Sequence, residues 1–272
     1  IEPRKNVVAL NKINFDLDEG KCIGLLGPSG SGKSTLLQIA GLLDSPTKGD
    51  IFINGKKCNH LSQENKNLIR KKHIGFVYQN FYLLDSFSAL ENVIIPQLIN
   101  GSSYNNAKKR AIKLLSDLGL SKRLYNKPRE LSGGEKQRVS ILRAIANMPK
   151  IILADEPTGN LDRENSQLLL KLMVNLKTSF KQSFIIATHD QSILEIADRI
   201  LYLKDGKIYK EMWIYIMKEN FSKGVQRVLK FAKEEAVRLG HSYVGSEHLL
   251  LGIIKDNNGK AANILTSIGC DI

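Results

Sequence analysis

Two hydrophobic patterns alternate along the first 210 residues. Short apolar runs sit in "INFDL", "CIGLL", "HIGFVYQN", "KIILADEP" and "SFIIATHD". Continuous runs that end in polar residues predict strands of a parallel sheet, buried on both faces. Between them the apolar residues recur with helical spacing. One such stretch follows "GKST" through Leu43, and amphipathic segments span Ala107 to Leu118 and Glu135 to Ile145, so residues 87 to 148 are predicted largely helical. "GDIFINGKK" predicts a short strand that turns at Asn54-Gly55, and "ILYLKDGKI" predicts a strand, an Asp-Gly turn and a strand. Strands alternating with helices, and polar groups at strand ends, predict an α/β sheet with a ligand at its carboxyl edge.

The pattern changes in "KIYKEMWIYIMKENF", at residues 207 to 221. Beyond it Val225, Val228, Leu229, Ala232, Ala236 and Leu239 form one helical stripe. Gly240 is predicted to stop this helix, and Ser246 to cap a second one through Ile254. A short all-α appendage is therefore expected after the α/β part.

Composition narrows the class. The chain has 272 residues, 42% hydrophobic and 25% charged, as expected of a globular protein of one large domain, or one large and one small. No apolar run approaches the roughly 18 residues of a membrane span. The chain opens at Ile1 without methionine or a leader-like segment, which suggests N-terminal truncation. Cys22, Cys58 and Cys270 are too far apart for a metal knuckle or a disulfide framework, which fits a reducing cytosol. The net charge is +13. Through Lys210 there are 32 Lys and Arg against 20 Asp and Glu; after it there are 8 against 7. That excess suits nucleic acid, a nucleotide, an anionic membrane leaflet, or simply a solvated lysine-rich surface.

The candidate chemistry begins with "GPSGSGKST". Gly27 to Ser34 fits G-x-x-x-x-G-K-[ST] between a predicted strand and a predicted helix, the setting of a phosphate-binding loop. Gly27, Gly30 and Gly32, with Pro28, Ser29 and Ser31 between them, let backbone N–H groups turn inward onto phosphate oxygens. Lys33 adds a point charge at the β and γ phosphates, the Ser34 hydroxyl a ligand for Mg2+, and Thr35 a contact on the α-phosphate side. In "IILADEP", Asp155 is placed to hold Mg2+ through water and Glu156 to polarise a water in line with the γ-phosphate. Two carboxylates beside phosphates need a cation between them. His189 ends the next apolar run, in "ATHD", where it can sense the γ-phosphate.

"ELSGGEKQR" offers a second anion site, with Ser132, Gly133 and Gly134 opening an amphipathic helix. One ATP has one triphosphate. A second site of this kind suits a nucleotide held by another copy of the chain.

The motifs "GPSGSGKST", Gln79 in "FVYQN", "LSGGEKQR", "ILADEP", "GNLD" and "ATHD" together resemble an ABC-type ATPase over residues 1 to about 210. Within that superfamily, "LLQIAGLLDSPTKGDIFING", "FYLLDSFSALENV" and "DEPTGNLD" resemble the lipoprotein-releasing transporter ATPases, with macrolide-exporter and cell-division types next. The resemblance implies a mixed-sheet core, a helical subdomain and a small antiparallel sheet. It implies two ATPase copies head to tail, each ATP lying between one phosphate loop and the partner's Ser132–Glu135 stretch. It also implies two separately encoded membrane permease subunits and a place at the cytoplasmic side of a bacterial inner membrane. Glu156 then resembles the general base, His189 the switch residue, Asp162 the link between sites, and Gln79 the lid residue that joins Mg2+ and water. Asn80 to Asn92, with Phe81, Tyr82 and Phe87, would border the groove for a helix of the permease. An ABC-type ATPase acting on nucleic acid or ribosomes is the alternative. Such members carry two cassettes or long coiled-coil insertions, which this chain lacks, so no direct nucleic-acid role is expected. The family's adenine-stacking aromatic is also missing: Phe15 falls in a predicted strand, and the stacking residue is expected before Ile1.

From Met217, "EEAVRLGHSYVGSEHLLLGII" resembles the start of the N-terminal repeat domain of Clp-type AAA+ unfoldases. The resulting division is residues 1 to 210 as ATPase domain, 211 to 216 as junction, and 217 to 272 as a partial Clp-like repeat. Met217 resembles that family's own start, so a joint between two reading frames is expected, with a natural fusion as the alternative. A peptide-adaptor role for the tail would need an intact pair of repeats.

Overall fold

The computed structural model describes residues 8–159, 161–214, 222–239, 244–256 and 260–267. The chain start, Asn160 of "GNLD", the expected joint at Met217, the helix stop at Gly240 and Cys270 lie outside the described residues. The chain divides into two compact units, Ile1–Ile214 and Tyr215–Ile272.

In chain order the first unit contains β1 (Cys22–Leu26), α1 (Lys33–Ala40), β2 (Phe52–Ile53), β3 (Lys56–Lys57), α2 (Gln63–His73), β4 (Ile74–Val77), α3 (Ala89–Ile99), α4 (Tyr104–Asp117), α5 (Gly133–Ile145), β5 (Ile151–Asp155), α6 (Arg163–Phe180), β6 (Ser183–Thr188), β7 (Arg199–Lys204) and β8 (Lys207–Trp213). The main sheet has the order β4-β5-β6-β1-β7-β8, parallel throughout except for β8. β2 and β3 form a separate antiparallel hairpin, with Asn54 and Gly55 at positive φ in its turn. The expected α/β class, with a mixed sheet and a small antiparallel one, is the fold observed.

The sheet separates two apolar cores. Phe184 and Ile186 of β6 face the core built with α3, α4, α5 and α6, whereas Ile185 and Ala187 face the one built with α1 and the hairpin. A strand alternates its side chains between faces, so a strand covered on both sides must be apolar at every position. That is the origin of the unbroken runs in β1, β5 and β6.

Three sequence expectations need correction. "INFDL" forms no strand: Ile13, Phe15 and Leu17 alternate inward onto the second core, but the segment has no ladder partner among the described residues. Packing satisfies its alternation without pairing. The helix expected through Leu43 ends at Ala40, because Gly41 N–H returns to Leu37 O at 2.8 Å and Leu42 then turns to a positive φ of 58°. The domain end drawn at Lys210 falls inside β8, whose Glu211, Met212 and Trp213 pair with Leu201, Ile200 and Arg199. Met212 and Ile214, in the stretch where the sequence pattern changes, pack against the first core.

The second unit contains α7 (Lys223–Arg238), α8 (Ser246–Asp256) and α9 (Lys260–Ser267). Of the expected stripe, Ala232 and Ala236 are buried, while Val225 and Leu239 stay exposed. The small residues make the contact because the helix backbones approach closely: a Cβ at Gly252 would lie 2.4 Å from Val228 O and 2.8 Å from Ala232 N. Arg227 pairs with Asp256 at 2.7 Å and Lys255 with Glu235 at 3.2 Å, joining the same two helices.

The reach of β8 generates a test. Arg199 is buried, and its Nε meets Glu211 at 2.7 Å. A chain ending at Ile214 is expected to melt like the first unit of the whole protein. One ending at Lys210 is expected to lose at least about 1.5–3 kcal/mol, the range for a hydrogen bond to a charged group. Chemical denaturation of both truncations measures the difference, and equal stability would place the end of the unit before Glu211.

Candidate active site

The site is assembled at the carboxyl ends of β1, β5 and β6. Parallel pairing sets Leu26 opposite Thr188 and Asp155 opposite Ala187, so the loops after these strands start at one level. Every residue of β1 is buried, and the chain leaves the core at Gly27. A Cβ at Gly27 would stand 2.2 Å from Leu203 O, so no larger residue fits against β7. Gly32, at φ 102°, caps α1 in a left-handed conformation. Lys33 is buried and turns back into the loop, where Nζ donates to Gly27 O at 2.7 Å and to Pro28 O at 3.1 Å. The loop therefore already encloses a positive charge. Ser31 Oγ is buried beside it, with no hydrogen-bond partner among the described residues. Pro28, Ser29, Gly30 and Ser34 are exposed, and Thr35 is half-buried in the first turn of α1.

Glu156 follows β5 with φ 46°, a left-handed conformation unusual for glutamate. Its N–H is held by Ala187 O at 2.8 Å. Oε2 accepts from Thr188 Oγ1 at 2.8 Å, and Oε1 lies 2.9 Å from Nδ1 of His189. Two residues at the end of β6 thus grip one carboxylate. Backbone strain of this kind persists only where the surroundings fix it. Gln79 stands near the same loop: a Cβ at Gly159 would be 3.3 Å from its Nε2. Asp155 and Ser34 line one small cavity with Gln38, Tyr78, Tyr82 and Leu153. Of the three expected metal ligands, that cavity brings Ser34 and Asp155 together, while Gln79 lies toward Gly159.

Ser132 caps α5. Its Oγ accepts from Glu135 N at 3.2 Å, and Glu135 Oε2 accepts from Ser132 N at 2.8 Å. The Ser132 N–H holds the Glu135 carboxyl below the usual range. The hydroxyl thus caps the helix, and its O–H remains able to donate to an anion. Ser132 and Gly133 are exposed, and no recorded hydrogen bond or ion pair among the described residues joins Ser132–Glu135 to the phosphate loop. Asp162 caps α6 by accepting from Asn165 N at 2.8 Å, and that bond lowers its carboxyl. Asn165 also bonds Asp162 Oδ2 at 2.8 Å and accepts from Arg138 at 2.5 Å.

Several supporting residues escaped the sequence reading. Thr188, Asn165, Gln137 and Arg138 each have ordinary structural uses, and only the folded arrangement aims them. Gln137 is buried on α5 and donates to Pro157 O at 2.7 Å, beside Glu156. The position of Thr188, last in an apolar strand run, was the one available signal.

Comparison with known proteins agrees with this geometry. The ABC transporter family profile matches residues 10–159, and the Clp repeat (R) N-terminal domain profile matches residues 220–272. The lipoprotein-releasing system ATP-binding protein LolD of Bacteroides fragilis is 46% identical over 199 residues, covering 73% of this chain and 92% of that protein. LolD 1 of Rhodospirillum rubrum is 45% identical over 205 residues, covering 75% of this chain and 91% of that protein. Among solved structures, a dimeric post-hydrolysis state of the ATP-binding cassette MJ0796 bound to ADP and Pi matches with a TM-score of 0.73 at 40% identity, covering 76% of this chain and 91% of that one. A second dimeric structure of MJ0796, described as a bacterial ABC transporter cassette, gives a TM-score of 0.72 at 41% identity. With its phosphate loop, gripped glutamate and capped glycine pair in one cassette fold, the chain belongs to the ABC transporter family, as an ATPase subunit.

Proposed function

We propose that the first unit is the ATP-hydrolysing motor of a lipoprotein-releasing type ABC transporter. It works as a head-to-tail pair on two separate membrane subunits at the cytoplasmic face of a bacterial inner membrane. The observation that carries the hydrolytic part is the Glu156 carboxylate, held by Thr188 and His189 at the sheet edge where the phosphate loop also opens. The identity to LolD proteins supports the transporter type. No described helix is long and apolar enough to cross a membrane, which suits a motor whose spans belong to other chains.

In this reading Gly27 to Thr35 bind the triphosphate, with Lys33 moving from the loop carbonyls to the phosphates. Glu156 takes a proton from the attacking water. His189, on the same carboxylate, orients it, and Gln79 stands beside the Glu156–Gly159 turn. Ser34 and Asp155 offer a hydroxyl and a carboxylate in one cavity, hard oxygen donors that fit Mg2+. When bound, that ion would neutralise charge developing on the phosphates. Ser132, Gly133, Gly134 and Glu135 meet the partner copy's nucleotide, and Asp162 links the two sites. The solved structures of MJ0796 are dimers of such a cassette. The Clp-like second unit is a separate module with no part in nucleotide chemistry.

Glu156→Gln is expected to keep ATP binding and lower turnover on the order of a hundredfold or more, because an amide cannot accept the proton. Phosphate release measures this, and gel filtration with ATP should show a lasting dimer. Near-normal turnover would remove Glu156 from the role.

Ser132→Arg should abolish turnover while leaving ATP binding by a single chain intact. Lys33→Ala should be inactive for the opposite reason. Mixed together, the two variants should regain part of the activity, since one complete site forms per mixed pair. Loss of ATP binding in isolated Ser132→Arg chains would contradict the head-to-tail arrangement.

A further inference from the structure

Two consecutive residues just after Gln79 have left-handed backbone. Phe81 has φ 52° and Tyr82 has φ 46°. Neither is glycine, asparagine or aspartate, so both conformations are unfavourable and need outside support. The support comes from one helix. Ser140 of α5 donates from Oγ to Phe81 O at 3.1 Å. Arg143, one turn later, donates from Nη2 to Phe81 O at 2.8 Å and from Nη1 to Tyr82 O. Ser140 is buried and Arg143 half-buried, so the two bonds to Phe81 O are partly sheltered from water, while the one to Tyr82 O is exposed. The clamp also fixes side chains. The Tyr82 ring meets Tyr78 edge-on at 5.2 Å, and both rings line the cavity that contains Ser34 and Asp155.

The same helix begins at Ser132 and reaches Pro157 O through Gln137. It therefore holds both the residue after Glu156 and the segment after Gln79. A tight joint with the sheet keeps it in place: a Cβ at Gly75 of β4 would stand 2.6 Å from Ala144 O.

We propose that Arg143 is a positioning residue for hydrolysis. With Ser140 it holds Phe81 and Tyr82 in their left-handed conformations, and so sets where Gln79 stands against the Glu156–Gly159 turn. The inference rests on the role assigned to Gln79 above. Without the clamp the segment relaxes to right-handed or extended backbone, and the direction of the chain leaving Gln79 changes. ATP binding, which belongs to Gly27–Thr35, should hardly respond.

The test uses steady-state ATPase assays on the full chain, with ATP binding and melting temperature measured in parallel. Arg143→Ala is expected to lower kcat on the order of ten- to a hundredfold, as for a misplaced catalytic group, with KM for ATP within about twofold. Its half-saturating Mg2+ concentration should rise. Arg143→Lys, with one mobile ammonium in place of a planar fork, should fall between Ala and the parent. Adding Tyr82→Gly to Arg143→Ala should recover part of the rate, because glycine adopts positive φ without strain. An arginine that merely stabilised the fold would not be rescued by a glycine that loosens the chain. If Arg143→Ala does not fold, Arg143→Lys and Ser140→Ala carry the same test. Unchanged kcat in the Arg143 or Ser140 variants, or a loss that Tyr82→Gly leaves untouched, overturns the proposal. Gln79→Ala separates the two readings. Full turnover there removes the role of Gln79 itself. A slow Gln79→Ala beside a fast Arg143→Ala removes only the clamp.

Discussion

The register of the parallel strands is the constraint on which the site depends. β1, β5 and β6 are paired so that Leu26, Asp155 and Thr188 end together. Each strand is buried on both faces, which leaves almost no sliding freedom: a slip of one residue would exchange the two apolar faces of β6. The phosphate loop, the carboxylates and His189 are then delivered to one edge by the same packing that forms the core. The close approach of Gly27 to Leu203 O fixes the height at which the loop begins. Chemistry at this edge is thus a consequence of core packing, not an addition to it.

Packing sets the strand ends, but α5 sets the loops. Four of its side chains reach different segments: Gln137 the turn after Glu156, Arg138 the start of α6 through Asn165, and Ser140 and Arg143 the residues after Gln79. The helix also carries Ser132 at its exposed end. Whatever contacts Ser132 therefore acts on a rigid rod connected to three loops of the site. In a head-to-tail pair, that is a direct physical route from one copy's nucleotide to the other copy's catalytic groups.

Much of this was legible in the sequence, and the parts that were not share a cause. The strands β1, β5 and β6 announced themselves because burial on both faces demands unbroken apolar runs. The phosphate loop, Asp155, Glu156 and His189 stood at the ends of those runs. By contrast, α2 has a lone buried residue, Lys66, and so little apolar periodicity to read. Phe15 alternates as a strand residue does, yet no strand among the described residues pairs with it. The strand β8 outran the expected boundary because Glu211 is polar, and its ion pair with the buried Arg199 is a tertiary event. Arg143 and Ser140 were invisible for a similar reason. Their partners are backbone carbonyls about sixty residues away, and a carbonyl carries no sequence signal.

The same accounting explains where the strain lies. Glu156, Phe81 and Tyr82 all occupy left-handed backbone, at about 1–3 kcal/mol each for unfavourable conformations of this kind. All three sit in loops at the carboxyl edge, and each is fixed by bonds from elements that the core holds rigid: β6 for Glu156, α5 for the other two. A loop relaxed to its own preferred backbone would be cheaper, but its side chains would point elsewhere. The supporting elements can hold the strain because they are themselves anchored by apolar burial in the two cores. Losing the bonds that hold these loops lets them relax and should lower turnover first, whereas substitutions in the two cores should lower stability first. The opposition between the two effects is the physical mark of a site held in place by its surroundings.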